Sequence, residues 1–170
     1  MIVAYLFERL GITVEDVYFL EPNPDPGEEG PERGVRVELR VIQRHPVTGS
    51  MYSAYPVDIA TAVWRADLLE SVEGGPGSRD RMHFHPEMAD DEPCDRVFDP
   101  AIRADPFGWL ADKLEGIAAI VARKVDEPDS YGADVAEIVR STPRIVQSAR
   151  DMLAQVHAGE LAHAPAKRGL

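Results

Sequence analysis

The clearest alternation of apolar and other residues in this chain lies in residues 35–42, where every second side chain is apolar. A period of two residues places alternate side chains on opposite faces of a strand, so this pattern predicts a half-buried antiparallel strand. Turn-forming residues 45–50 follow it, and residues 51–55 are expected to be the return strand. Residues 57–72 fit a helix as well as a strand, and we favour a strand because a hairpin precedes them.

The first twenty residues contain two apolar runs separated by Gly11. Residues 17–20 are rich in β-forming side chains and predict a strand. Residues 2–10 also have helical spacing, and so short a pattern leaves helix and strand open. Residues 21–34 contain four prolines, three glycines and five acidic residues, which predicts an exposed loop without regular structure.

From Asp105 onward the pattern becomes helical, with a capping aspartate directly before Pro106 at the first helical position. A second helix is expected over residues 133–139, broken near Pro143 and resuming until Gly159. The apolar face of the first helix consists of Leu110, Leu114, Ile117 and Val121.

A glycine-rich break at residues 74–77 precedes a short predicted strand over 81–87, so strands come first in the chain and helices last. This order predicts a single α+β domain over residues 1–157. We expect an antiparallel sheet of about four or five strands, followed by two or three C-terminal helices packed on one face of it. Residues 158–170 have the composition of a C-terminal tail.

The formal net charge of −12 arises from 30 acidic and 18 basic residues. Such a surface repels phosphate groups, so nucleic acid is an unlikely partner. No apolar stretch approaches the roughly 20 residues of a membrane span, and the short apolar N-terminal run lacks the basic leader of a signal peptide. A single cysteine allows no internal disulfide. Together these features indicate a cytoplasmic protein without a membrane partner.

The densest group of chemically active side chains lies in residues 81–95, with two of the five histidines, the single cysteine and five carboxylates. His83 and His85 are two residues apart, so a strand points both to the same side, and Glu87 continues that face. Two imidazoles and a carboxylate are ligands for zinc, iron or nickel. The alternative is that both histidines are polar strand residues, satisfied by aspartate and backbone partners.

Arg65 and Asp67 suggest a second kind of catalytic site, which does not need a metal ion. If residues 63–69 form a strand beside 81–87, these two side chains share a face and could meet the histidines, giving an Arg–Asp–His set for general acid–base catalysis without a metal. The alternative is a surface ion pair beside a core tryptophan. Cys94 lies among carboxylates, which raise the pKa of a thiol, and we expect it to be inert.

The chain contains no glycine-rich nucleotide motif, no Gly-x-Ser-x-Gly and no His-Glu-x-x-His, so no cofactor is expected from those classes. A divalent transition metal held by the histidine pair is the alternative.

One family shares part of this arrangement. The order of strand, turn, strand, Trp64-Arg65-x-Asp67, glycine-rich gap and His83-x-His85 before a helix resembles the TumE-type toxins of bacterial toxin–antitoxin pairs, over about residues 35–90. Those are small α+β proteins with a Trp-Arg-Tyr-Asp-like strand and a following histidine cluster. The resemblance implies this topology and a toxin-like ribonuclease, although Ala66 stands where the family has an aromatic residue.

Two functions of different kinds follow. The first is a protein that acts through protein–protein interaction as a homodimer, because no strong catalytic motif is present and the surface is acidic. Apolar residues around Pro143 could cover the sheet or pair with a second subunit: Ile138, Val139, Ile145 and Val146. The alternative is a small hydrolase or ribonuclease whose site contains His83, His85, Arg65 and Asp67, with or without a metal ion.

Overall fold

A five-stranded antiparallel sheet and a set of C-terminal helices form the protein, in a computed structural model that describes residues 1–89 and 91–165. The predicted α+β class is confirmed. The strands lie side by side in chain order: β1 (Ile2–Leu6), β2 (Leu10–Leu20), β3 (Pro31–Arg44), β4 (Val57–Ser71) and β5 (His83–His85). A separate small ribbon consists of β6 (Met88–Ala89) and β7 (Glu92–Pro93).

The helical half of the chain begins with two capped helices in direct succession. The Asp99 carboxylate accepts the N–H of Ala101 and the Asp105 carboxylate accepts the N–H of Gly108, and each cap precedes a proline at the first helical position. The helices are α1 (Pro100–Ala104), α2 (Pro106–Glu115), α3 (Ile117–Lys124) and α4 (Gly132–His157), with a short 3-10 helix at Pro128–Tyr131. No helix within the described residues is both long and apolar enough to cross a bilayer.

Alternation along the strands divides the sheet into an apolar face and a polar face. Val35, Val37 and Leu39 on β3 are fully buried in the core that the sheet shares with the helices. On the opposite face, the cross-strand pairs form two polar rows. The first row is Glu15, Arg36, Asp67 and His83, and the second is Thr13, Glu38, Arg65 and His85. The alternation that predicted the strand therefore also builds a line of ionisable side chains across the sheet.

The hairpin between β3 and β4 differs from the sequence prediction. Residues 51–55 were expected to be the return strand, which is wrong: they form an exposed turn, and the side chain of Tyr52 is 90% exposed. Pairing continues along β3 as far as Arg44, opposite Val57, so the whole segment between these two residues is needed to connect the strands. Residues 57–71 are a strand, as favoured above.

Two other segments belong to the sheet. The first apolar run, which the sequence left open, is the edge strand β1, paired with β2 from Ile2 opposite Glu15. Strand β3 starts within the predicted loop, at Pro31, because the first residue of a strand tolerates the missing N–H. Within the expected tail, Ala162 contacts the sheet, since its N–H donates to Asp16 on β2, while residues 166–170 lie outside the described residues.

The predicted helix break at Pro143 is wrong, because α4 runs through it without interruption. Pro143 removes one backbone hydrogen bond, but the Thr142 hydroxyl donates to the Ile138 carbonyl 3.2 Å away. Ile138 and Ile145 are fully buried on either side of the proline. Packing against the sheet therefore keeps the two halves of the helix aligned, and these isoleucines cover the sheet.

The connection from β4 to β5 is fastened by two carboxylates. Glu70 accepts the N–H groups of Gly77 and Arg79 and pairs with His157 at the end of α4. Asp80 accepts hydrogen bonds from both the backbone N–H and the hydroxyl of Ser71. Burial opposes ionisation of Asp80, but these hydrogen bonds and one from Ser78 outweigh it and lower its pKa to about 2. The anchored connection fixes how β5 pairs with β4.

We expect Asp80→Asn to lower the free energy of unfolding by about 1 kcal/mol at neutral pH, because a neutral amide is a weaker acceptor and solvent limits the effect. A carboxyl whose pKa is lowered on folding stabilises the protein above its unfolded pKa, and the contribution disappears as pH falls through the folded value. The wild-type advantage should therefore shrink between about pH 4 and about pH 2.

Urea denaturation of both proteins over this pH range measures the difference. Asp112→Asn, at an exposed acid on α2, is the matched control and should behave as wild type. A difference between Asp80→Asn and wild type that is independent of pH would contradict the role given to the ionised carboxylate.

Candidate metal centre

The candidate site lies where β4 and β5 pair over three residues. Asp67 is directly opposite His83, and Arg65 is directly opposite His85. Side chains of directly opposite residues point to the same face of a sheet, so both histidines stand on the polar face beside Asp67. Sequence analysis proposed these four residues as one site, and the register brings all four to this part of the sheet.

Three of these side chains converge on one point. Oδ2 of Asp67 lies 3.4 Å from Nε2 of His83 and 3.4 Å from Nε2 of His85, and the two Nε2 atoms are 3.1 Å apart. All three residues are buried, with at most 5% of the residue surface exposed. The three atoms are close enough together to hold a single metal ion. Asp67, His83 and His85 are called the triad below.

The outer nitrogens of the two imidazoles are already committed as donors. Nδ1 of His83 lies 2.7 Å from the carbonyl oxygen of Arg81, and Nδ1 of His85 lies 2.6 Å from that of Cys94. A carbonyl oxygen only accepts, so each Nδ1 carries a proton. The two Nε2 atoms and a carboxylate oxygen then face one another in a buried place. Such an arrangement needs a cation between them, either a shared proton or a metal ion.

The spacing of the three acceptors suits a metal ion. A tetrahedral or octahedral ion with bonds of about 2.1 Å holds adjacent ligand atoms about 3.0–3.4 Å apart. The observed separations of 3.1 and 3.4 Å fall within this range. The committed Nδ1–H groups also match the outer contacts that orient metal-binding histidines in other proteins, where a carbonyl or carboxylate accepts from the second ring nitrogen.

Arg36 orients the Asp67 carboxylate. Its Nε donates to Oδ1 over 2.7 Å, which leaves Oδ2 facing the imidazoles. Burial opposes ionisation of Asp67, but hydrogen bonds with His83 and His85 and the guanidinium of Arg36 hold its pKa well below the ordinary value. The aspartate is therefore ionised, as a metal ligand must be.

Arg65 lies beside the triad without entering it. Its Nε donates to Oε1 of Glu38 over 2.7 Å, and Glu38 also pairs with Arg40. The surface ion pair of Arg65 and Asp67 that the sequence offered as the alternative is therefore not formed: Arg65 pairs with Glu38 and Asp67 with Arg36, and both pairs are mostly buried. Arg65 therefore flanks the centre as a charged neighbour.

Glu87, which sequence analysis placed among the metal ligands, belongs elsewhere. Strand β5 ends at His85, so Glu87 does not continue its face, and its carboxylate pairs with Nζ of Lys124 at 3.0 Å. Asp67 takes the place in the ligand set that had been assigned to Glu87. Cys94 contributes its backbone carbonyl to His85, while its thiol contacts the carbonyl of Asp95.

The triad borders an open pocket of about 750 Å³. Residues of the β2–β3 connection form one wall and residues 91–96 with Phe98 form another. The Phe98 ring lies 5.5 Å from the His83 ring, between ring centroids. A small molecule could therefore reach the centre from solvent, which a purely structural contact between strands would not require.

Comparison of this chain with protein-family models, with curated proteins and with solved structures finds no match. The resemblance to TumE-type toxins therefore stays a prediction. What the centre can do follows from its own geometry.

Metal analysis of three variants tests whether Asp67 or Glu87 binds the metal together with the two histidines. We expect protein purified without chelators to carry near-stoichiometric zinc, iron or nickel, and His85→Ala and Asp67→Asn to lose it. Loss of a ligand should weaken zinc binding by more than about 100-fold, the upper range found for changes outside the ligand shell. Glu87→Gln is the matched control and should retain the metal.

Elemental analysis and competition with a chromophoric chelator give stoichiometry and affinity. Metal loss in Glu87→Gln together with retention in Asp67→Asn would contradict the triad. Absence of metal from the wild type, with no change in thermal stability on adding zinc, would do so as well.

Proposed function

We propose that this protein binds a divalent transition-metal ion through Asp67, His83 and His85 and uses it to hydrolyse a small molecule held in the adjoining pocket. The observation that carries the proposal is the meeting of three acceptor atoms 3.1–3.4 Å apart, with both Nδ1 groups already donating to carbonyls. The two imidazoles contact each other and the carboxylate directly, and a bound metal ion would replace the proton that these atoms share. A cation of suitable charge and bond length fits there.

Three protein ligands favour catalysis over a structural role for the ion. Structural zinc sites are closed by four protein ligands, whereas catalytic sites keep a position open for water or substrate. Water on a bound zinc ion ionises near about pH 7, which supplies hydroxide as a nucleophile under mild conditions. The fold also has an extensive apolar core of its own, so it does not need an ion to hold its strands together.

Arg65 is placed to assist such a reaction. Only its Nε is engaged by Glu38, and within the described residues its two terminal nitrogens make no hydrogen bond. The side chain lines the same pocket as the triad. A guanidinium there supports stabilisation of the negative charge that develops on a carbonyl oxygen during hydrolysis.

A toxin-like ribonuclease is the less favoured form of this hydrolase, because acidic residues outnumber basic ones along the pocket. The homodimer stays a separate prediction. The apolar residues around Pro143 offer little surface for a second subunit, because Ile138 and Ile145 are buried in the core. Val139 is the exposed member of the group, at 37%.

The reaction is tested with zinc-loaded protein and p-nitrophenyl acetate, an ester that zinc-bound hydroxide cleaves without special recognition. We expect hydrolysis to rise through about pH 7 as the bound water ionises, and metal affinity to fall below about pH 6 as protons compete for Nε2. The variant with His83→Ala and His85→Ala should fall to the background rate, while Glu87→Gln should match wild type.

Arg65→Met should keep its zinc and lose about 100-fold in kcat, the cost typical of removing one donor to a developing oxyanion. Ester hydrolysis that survives both complete removal of metal by a chelator and the double histidine substitution would contradict the proposal.

A further inference from the structure

The pocket beside the triad has a negatively charged lining. Its lining has seven carboxylates against three guanidinium groups, a formal excess of four negative charges. The carboxylates are Glu21, Asp25, Glu28, Asp67, Asp91, Glu92 and Asp95, and the guanidinium groups are Arg36, Arg65 and Arg96. Such a lining repels phosphates and carboxylates in solution and attracts cations.

The three arginines are each committed to a carboxylate partner. Arg36 pairs with Asp67, Arg65 with Glu38, and Arg96 with both Glu28 and Glu32. Two of these partners, Glu32 and Glu38, are buried behind the lining and add to the negative charge. The formal charge of the three arginines is therefore balanced by carboxylates of the protein, so they do not offset the acidic lining, although the terminal nitrogens of Arg65 stay available to donate hydrogen bonds.

Two acidic residues at the mouth of the pocket, in contrast to the arginines, have no partner of opposite charge among the described residues. Glu92 and Asp95 are exposed, and neither makes an ion pair with any other residue that the structure describes. An acidic mouth alone would mean little on a chain with a net charge of −12. Here it adjoins a second, independent feature: the almost completely buried imidazoles of His83 and His85, whose Nε2 atoms lie close enough to each other and to Oδ2 of Asp67 to hold a metal ion.

We infer that the substrate of this pocket carries an ammonium or guanidinium group at a distance from the bond that is hydrolysed. This inference rests on the proposed function, because the metal ion defines where that bond lies. A bound divalent ion repels a nearby cation, so the charged end lies toward Glu92 and Asp95 while the reacting carbonyl contacts the ion. Phe19 and Phe98 in the lining accept the apolar stem between the two ends.

The class of substrate is thus an amide or ester of a basic compound. A metal ion held by Asp67, His83 and His85 would supply hydroxide, whose oxygen would add to the carbonyl carbon as the bond from that carbon to the amine or alcohol breaks. The leaving amine or alcohol takes a proton, and the other product is a carboxylate. Water is the only co-reactant.

The first test compares two esters of similar length on zinc-loaded protein, Nα-acetyl-arginine methyl ester and Nα-acetyl-norleucine methyl ester. We expect kcat/KM to be about tenfold higher for the arginine ester at low ionic strength, and the preference to diminish in about 0.5 M salt, where exposed charges are screened. Equal values for the two esters, or a preference for the neutral one, would overturn the inference.

Charge-neutralising variants show whether the mouth is responsible. The double variant Glu92→Gln with Asp95→Asn should reduce the preference by about fivefold while leaving zinc stoichiometry unchanged. The matched control, Glu73→Gln with Glu115→Gln, removes the same charge at exposed positions outside the pocket and should keep the preference. If both double variants lose it equally, the attraction comes from the net charge of the chain and the inference fails.

Calorimetry with agmatine, which carries a guanidinium and an ammonium group, tests the charge preference of the pocket independently of hydrolysis. Zinc-loaded protein should bind agmatine more tightly than inorganic phosphate, and the Glu92→Gln, Asp95→Asn variant should bind agmatine about fivefold more weakly than wild type. Failure of both esters to react would overturn the proposed function while this binding result stands. Tighter binding of phosphate would overturn the inference while metal binding and ester hydrolysis stand.

Discussion

Pairing of β4 with β5 over only three residues brings a carboxylate and two imidazoles to a common point, and the surrounding structure holds that pairing in place. A slip of one residue would turn both histidines to the opposite face of the sheet, where Ala66 and Phe84 now lie. Such a short pairing cannot fix its own register. The register is fixed instead by the preceding connection, which Glu70 and Asp80 hold in place through hydrogen bonds.

Electrostatics of the polar face explain why so many ionisable groups can be buried there. A charge removed from water is costly unless it is paired and hydrogen-bonded. Asp67 has Arg36 and Glu38 has Arg40 and Arg65, so these carboxylates are compensated by neighbours on the same or adjacent strands. Within the triad, the Asp67 carboxylate also contacts the two Nε2 atoms, so this group needs a shared proton or a bound metal ion. That need for a cation distinguishes the candidate binding centre from the neighbouring arginine–carboxylate pairs.

The sequence carries a good part of this arrangement. Alternation over residues 35–42 predicts a strand with a polar face, and the spacing of His83 and His85 places both imidazoles on one side. The grouping of Arg65 and Asp67 with them depends on pairing between neighbouring strands, which the chain order favours. Glu87 was assigned wrongly because the pattern does not reveal that the strand ends at His85. The predicted ligand set therefore depended on two residues of strand length, which local sequence does not specify.

Long-range packing accounts for the remaining differences. Continued pairing along β3 to Arg44 decides that residues 51–55 are a turn, although their side chains are suited to a strand. Burial of Ile138 and Ile145 decides that α4 passes through Pro143. In both places a local preference of modest size is outweighed by contacts with residues distant in the chain. The charge of the pocket mouth is likewise a tertiary property, because Glu92 and Asp95 line the same pocket as Asp25 only in the folded protein.

The most direct measurement of the central claim is anomalous diffraction from crystals grown with zinc, recorded on both sides of the zinc absorption edge. The account predicts a strong peak about 2.0–2.2 Å from Oδ2 of Asp67 and from Nε2 of both His83 and His85. A peak confined to exposed carboxylates such as Glu92, or no peak between the three triad atoms, would contradict it.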